Sequence, residues 1–123
     1  MSQIFVFGSN LAGRHGKGAA LTARLEHGAI YGQGIGIQGN SYGIPTKDHD
    51  LKVLSLNQIY YHISKFVEYM ADHPYNHYNI TKVGCGLAGY NWDDDIMPMF
   101  EDCTAFHGNM WKPLKPTIHF DFI

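Results

Sequence analysis

The stretch Phe7–Ala20 reads F-G-S-N-L-A-G-R-H-G-K-G-A-A. It follows the apolar run Ile4-Phe5-Val6-Phe7 and leads into Ala19-Ala20-Leu21. The unbroken apolar run predicts a strand over Gln3–Phe7, buried on both faces of an α/β sheet. The small residues after the loop open a predicted helix over Gly18–His27, with Gly28 as its C-terminal stop. Strand, glycine-rich loop and helix N-terminus in this order form a site for an anion. Glycine allows close backbone approach and φ > 0, and the free N–H groups of the first helical turn carry the positive end of its dipole. Arg14, His15 and Lys17 add donors to the same loop. The competing reading is a βα connection whose glycines serve only the turn, and the loop alone does not decide between them.

Working outward, Gly28–Gly43 holds six glycines, and Gly34-x-Gly36-x-x-Gly39 formally matches a dinucleotide fingerprint. That motif opens a helix, whereas here it leads into the strand-like Tyr42–Thr46, so the match is rejected. A pair of short strands or a wandering loop is expected instead. Lys47 follows that strand, where open α/β sheets place their ligands; a solvated lysine before a turn is the alternative. Ser55–Asp72 reads as an amphipathic helix, with Leu56, Ile59, Tyr60, Ile63, Phe66, Val67 and Met70 at helical spacing. Ser55 and Gln58 form a capping-box pattern, and Leu54 with Ile59 a hydrophobic staple. Asn79–Cys85 reads as a further strand, running into the glycine-rich Gly84–Trp92. A helix is expected from Asp94 or Asp95, with Pro98 in its first turn and Ile96, Met99, Phe100 and Cys103 on its inner face. Pro116–Ile123 alternates as a closing strand. The order β-loop-α, glycine-rich β, α, β-loop-α, β predicts one domain over 1–123, a three-layer α/β/α fold with a mixed, mostly parallel sheet.

The chain has 123 residues, 45% of them hydrophobic, and a formal net charge of −2. This excludes a disordered chain and the basic footprint of a general nucleic-acid binder. Two cysteines, no apolar run of membrane-spanning length and no signal-peptide pattern predict a soluble cytoplasmic protein with free thiols and no membrane partner. His73 and His77 are four apart, but Pro74 between them argues against one helix face, so no metal site or cofactor is expected. Cys85 as a nucleophile requires a histidine nearby in space; the alternative is a buried thiol. Ser9 lacks the nucleophile elbow of a serine hydrolase. Phe7, Tyr31, Tyr90 and Trp92 are candidates to stack on a base, with Tyr90 and Trp92 the better placed.

Two glycine loops after two strands, the second reading G-C-G-L-A-G-Y-N-W over Gly84–Trp92, resemble a macro domain. The likeness is to the compact branch that includes terminal ADP-ribose protein glycohydrolase and ADP-ribose-1''-phosphate phosphatase. Gly84, Cys85, Gly86, Leu87, Trp92 and Asp93 are similar to the branch's G-[CT]-G-L followed by tryptophan and an acid. Asn10 with Gly16–Ala20 resembles its asparagine and G-x-G-[AI]-A turn, and Thr46-Lys47 its threonine-lysine strand end. The resemblance implies binding of ADP-ribose or a related nucleotide, free or attached to a macromolecule, with the two loops clasping the diphosphate. It implies ligand contacts at Gly8, Ser9, Asn10, His15, Gly16, Lys17, Gly18 and Ala19, at Thr46, and at Gly84, Cys85, Gly86, Leu87, Ala88, Gly89 and Tyr90. Asn10 would face the distal ribose, and Lys47 would lie near its anomeric carbon. Lys47 and Asp93 are the catalytic candidates if the protein is a hydrolase of an ADP-ribose derivative. The glycohydrolase carries an aspartate directly after G-C-G-L, where this chain has Ala88. The resemblance therefore carries binding further than it carries hydrolysis.

Overall fold

The structure is a computed structural model that describes residues 2–106 and 117–120. Five strands form one sheet in the order β2-β3-β1-β4-β5. They are β1 (Gln3–Asn10), β2 (Gly36–Gln38), β3 (Ser41–Lys47), β4 (His77–Ile80) and β5 (Thr117–Phe120). Among these described strands only the β2–β3 pair is antiparallel; β1 pairs in parallel with β3 and β4, and β4 with β5. The helices are α1 (Gly18–Glu26), α2 (Leu56–Asp72) and α3 (Met97–Phe106). The sheet is thus mixed and mostly parallel, as expected. The closing strand is described only over Thr117–Phe120; the rest of Pro116–Ile123 lies outside the described residues.

β1 is the axis of the domain, and its residues divide between two cores. Ile4 and Val6 join the cluster under α2 and α3, while Phe5 and Phe7 join Ala20 and Ala23 of α1 on the other face. Alternate side chains of a strand leave opposite faces. A strand covered on both faces must therefore be apolar at every position, which explains the unbroken run. Ala20 and Ala23, both buried, let α1 lie close to the sheet.

α2 forms the larger core. Ile59, Ile63, Phe66, Val67 and Met70 are all fully buried, each contributing about 1.5–3 kcal/mol relative to exposure. Both capping-box bonds are made: the Ser55 hydroxyl accepts the Gln58 N–H at 3.2 Å, and Gln58 Oε1 accepts the Ser55 N–H at 2.9 Å. Leu54 and Ile59 are buried in the same cluster. Tyr60 departs from the expected apolar stripe. It is exposed, and its hydroxyl donates to the Asp102 carboxylate on α3.

Strand ends differ from the sequence expectation: β3 is one residue longer at each end and β4 begins two residues earlier, at His77. β1 runs on through Gly8, Ser9 and Asn10, because β3 pairs with it that far, with a register shift between Ser9 and Asn10. β4 stops at Ile80, five residues before Cys85. Tight turns take its place, with Val83 N–H donating to the Thr81 carbonyl at 2.7 Å and Cys85 N–H to that of Lys82 at 3.2 Å.

α3 is entered through a π-helical turn over Trp92–Ile96 and not by a regular start at Asp94 or Asp95. Ile96 N–H donates to the Asn91 carbonyl at 3.3 Å, and Met97 N–H to that of Trp92. Pro98 has no N–H and clashes with the carbonyl four residues back in a regular helix. Pro98 is the second residue of α3, in its first turn as expected, where a missing N–H is tolerated. Ile96, Phe100 and Cys103 are buried as expected, and Met99 is partly so.

Candidate functional site

The carboxyl ends of β1 and β3 and the turns after β4 converge. A Cβ built at Gly8 would lie 3.4 Å from Gly84 N and 3.7 Å from Thr46 Cγ2. Beyond this point opens a cleft of about 920 Å³. Its walls are Gly8–Asn10 of β1, Arg14 and Gly16–Ala20 leading into α1, Thr46 and Lys47 of β3, and Thr81–Ala88 after β4. Tyr31 and Leu51 complete the rim.

The first wall ends at the N-terminus of α1. Lys17 is the N-cap residue, in an extended conformation, and makes no side-chain capping bond. The other two helical starts are capped, α2 by Ser55 and the turn before α3 by Asn91, whose Oδ1 accepts the Asp94 N–H at 2.9 Å. The first N–H groups of a helix have no intrahelical acceptor. In α1 they belong to residues that line the cleft, and they are a donor array for an anion.

Glycine serves two different ends around this wall. Gly34 is packed: a Cβ there would stand 2.0 Å from the Asn10 carbonyl oxygen. Gly13 has φ +71° and would place a Cβ 2.2 Å from the Gly32 carbonyl carbon. The glycine-rich stretch before β3 therefore backs the first loop from behind through close backbone contact. Gly16 and Gly86 are the opposite case. Neither has a positive φ, and a Cβ on either meets no protein atom within 4 Å. Both line the cleft.

The expected site residues separate on this geometry. Gly8, Ser9, Asn10, Gly16, Lys17, Gly18, Ala19, Thr46, Lys47, Gly84, Cys85, Gly86, Leu87 and Ala88 line the cleft. His15, Gly89, Tyr90 and Asp93 do not. The Tyr90 hydroxyl donates to the Leu54 carbonyl at 2.7 Å, which draws the ring toward the α2 side. Asp93 is exposed in the π-helical turn, where an acid suits the positive end of the helix.

His15 has no exposed surface and turns into the core beside Phe7. Its Nε2 stands 2.8 Å from the Gln33 carbonyl oxygen and 3.2 Å from Gln38 Oε1. Gln38 Oε1 also accepts the Ile30 N–H at 2.8 Å. Two acceptors at Nε2 require the proton there. Ser9 likewise faces inward, its hydroxyl donating to the Gly34 carbonyl.

Asn10 is committed within the loop. Its Oδ1 accepts the Arg14 N–H at 2.9 Å, and its Nδ2 donates to the Arg14 carbonyl at 2.9 Å. Burial pushes the half-buried Cys85 thiol up; Lys82 opposes this, and Asp95 and Asp93 add to it. A thiol held protonated is a poor nucleophile. Among the described residues no group of three or more His, Cys, Asp or Glu is placed to hold a metal ion, and no helix is long and apolar enough to cross a membrane.

Several lining residues were missing from the sequence-derived site. Arg14 sits in the quoted loop and was legible as a donor, yet not as a wall residue. Tyr31 is the one stacking candidate that reaches the cleft, with its ring under the Arg24 guanidinium at 5.3 Å. Trp92 and Phe7 are buried in the two cores. Leu51, exposed at φ +63°, carried no signal, because nothing in its sequence marks a left-handed backbone.

No family profile and no curated protein matches this chain. Solved structures do. A protein of unknown function from Bacteroides thetaiotaomicron superimposes with a TM-score of 0.68 at 13% identity, over 99% of this chain and 88% of that one. A macrodomain protein from Streptomyces coelicolor gives 0.61 at 15% identity, over 98% and 88%. The macrodomain of Mycobacterium tuberculosis DarG gives 0.59 at 17% identity, over 98% and 88%. At these identities the likeness is one of fold, and the chain has the macrodomain fold.

Proposed function

We propose that this macrodomain-fold protein binds ADP-ribose or a related nucleotide derivative in the cleft between its two glycine-rich loops. The observation that carries the reading is the pair Gly16 and Gly86. Neither the backbone conformation nor the packing of the protein demands glycine at these positions. Room for a ligand against the main chain accounts for both. The uncapped start of α1 supplies N–H donors to one side of a diphosphate, and the backbone of Gly84–Ala88 faces it from the other wall. Tyr31, an aromatic residue on the cleft wall, would stack on the base. Lys47, the lysine that the resemblance to the glycohydrolase singles out, lines the same cleft.

Binding is favoured over hydrolysis. A lysine attacking an anomeric carbon needs a neighbour to take and return protons. No Asp or Glu lines the cleft among the described residues, Ala88 stands where the glycohydrolase has its acid, and Asp93 lies outside. Calorimetry with ADP-ribose tests the reading: saturable binding is expected, and no heat at millimolar ligand overturns it. Incubation with ADP-ribosylated protein or DNA should release no ADP-ribose. Release that disappears in Lys47→Ala would establish the hydrolase instead.

A further inference from the structure

The cleft has π surface for a base but little with which to read the base's edge. Ser9, Asn10, Thr46 and Thr81 are buried in its wall. Each is bonded to the protein's own main chain. The Ser9 hydroxyl donates to the Gly34 carbonyl, that of Thr46 to Ser9 at 3.3 Å and that of Thr81 to Val6 at 2.8 Å. The Asn10 amide closes on both polar groups of the Arg14 peptide. The Cys85 thiol faces the Val83 carbonyl at 3.5 Å. The charged residues of the wall are Arg14, Lys17, Lys47 and Lys82, and no Asp or Glu joins them among the described residues. These cations carry donors and no acceptor. Adenine differs from guanine by an amine, a donor, where guanine has a carbonyl; the N7 acceptor is common to both. Selecting adenine by its amine takes an acceptor. Donors meet N7 of either purine, and guanine O6 besides. A site rejects an analogue strongly when its polar groups are left unpaired by it, and these side chains lose no partner when the purine changes.

The aromatic side is built more firmly. Tyr31 and Gly32 are the central residues of a turn in which the Gln33 N–H donates to the Ile30 carbonyl at 3.0 Å, with Gly32 at φ +97°. The turn is tied down on both sides of the tyrosine. Gln38 Oε1 accepts the Ile30 N–H at 2.8 Å, and the Gly13 carbonyl in the first loop accepts the Gly32 N–H at 2.8 Å. The ring itself is 58% exposed at the cleft, so core packing does not fix it. Arg24, in the last turn of α1, does so instead. Its guanidinium lies over the ring, 5.3 Å from the centroid. A cation over one face of a tyrosine is attracted by the ring's quadrupole. It occupies that face and holds the ring for a base on the other.

We propose that this cleft takes purine nucleoside-diphosphate riboses as a class, holding the base by stacking on Tyr31 without selecting adenine, and that Arg24 is the positioning residue of that platform. The inference rests on the ADP-ribose reading of the cleft and widens its ligand class from adenine to purines.

Calorimetry on the full chain compares four ligands: ADP-ribose, guanosine diphosphate ribose, inosine diphosphate ribose, and the same diphosphate with a ribose at each end and no base. The three purine ligands should bind within about threefold of one another, because stacking is tolerant of base identity, and the baseless one about 5- to 150-fold more weakly. Tyr31→Ala should bring the purine ligands down to the baseless one. Arg24→Gln should weaken the purine ligands by about two- to fivefold and leave the baseless one unchanged, whereas loss of a general electrostatic attraction would weaken all four alike. Arg24→Lys, which keeps a cation, should restore most of the affinity, and Arg24→Gln should have no further effect in a Tyr31→Ala background. ADP-ribose binding tenfold or more tightly than both other purine ligands would show readout of the base edge and overturn the proposal. So would a baseless ligand that binds as well as ADP-ribose, or an Arg24→Gln loss shared equally by the baseless ligand. Each of these outcomes leaves ADP-ribose binding standing; failure of all four ligands to bind removes the underlying reading as well.

Discussion

Replacing Gly16 or Gly86 by alanine separates ligand demand from folding demand. Neither site has a positive φ, and the added Cβ meets no protein atom within 4 Å. Folding should gain, because alanine restricts the unfolded chain, by about 0.4–1 kcal/mol. For a domain of this size that raises the Tm by roughly 2–4 °C. Binding should suffer. The methyl group occupies the space through which the ligand reaches the main chain, and a charge-assisted backbone contact to phosphate is worth about 1.5–3 kcal/mol. Its loss weakens ADP-ribose binding by about 10- to 150-fold. The assay is calorimetry with ADP-ribose beside thermal denaturation of the same samples. Gly34→Ala is the contrast: its Cβ would fall 2.0 Å from the Asn10 carbonyl oxygen. That overlap forces the backbone apart at a cost of about 1–3 kcal/mol or more, so Tm should drop. Unchanged affinity in both Gly16→Ala and Gly86→Ala would refute the assignment of these glycines to a ligand. A marked fall in their Tm would refute the claim that the protein itself does not need them.

Tyr31→Ala should weaken ADP-ribose binding by about 5- to 150-fold, since base stacking on an aromatic ring contributes about 1–3 kcal/mol; Tyr31→Trp should restore it, and Tm should hold because the ring is 58% exposed. Ser55→Ala removes the capping box of α2 and should cost about 0.5–2 kcal/mol, read as a lower urea midpoint with ADP-ribose affinity unchanged. Burial raises the Cys85 thiol above its ordinary value of 9.0. The neutral thiol therefore dominates below that pH, and alkylation by iodoacetamide, followed by mass spectrometry, should be slow at neutral pH and keep accelerating beyond pH 9. A rate that levels off near pH 7 would show an activated thiolate.

Local physics made much of this protein readable in one dimension. An apolar run with no polar alternation forces a strand covered on both faces, and β1 has Ile4 and Val6 in one core and Phe5 and Phe7 in the other. A serine three residues before a glutamine, ahead of a helical stripe, specifies its own two capping bonds at Ser55 and Gln58. Glycine-rich loops after strands mark the cleft walls, because close backbone approach depends on the residue type itself. What the linear order could not decide depends on partners distant along the chain. β1 extends to Asn10 because β3 pairs with it, and β4 ends at Ile80 because turns draw the chain off the sheet. The stacking candidates look alike in sequence, and only burial distinguishes Tyr31 at the rim from Trp92 in the core. Asn10 and Arg14 are four residues apart in a loop with no periodicity. That the amide of one closes on the peptide of the other is a property of the folded turn, set by a backbone held from behind by Gly13, Gly32 and Gly34.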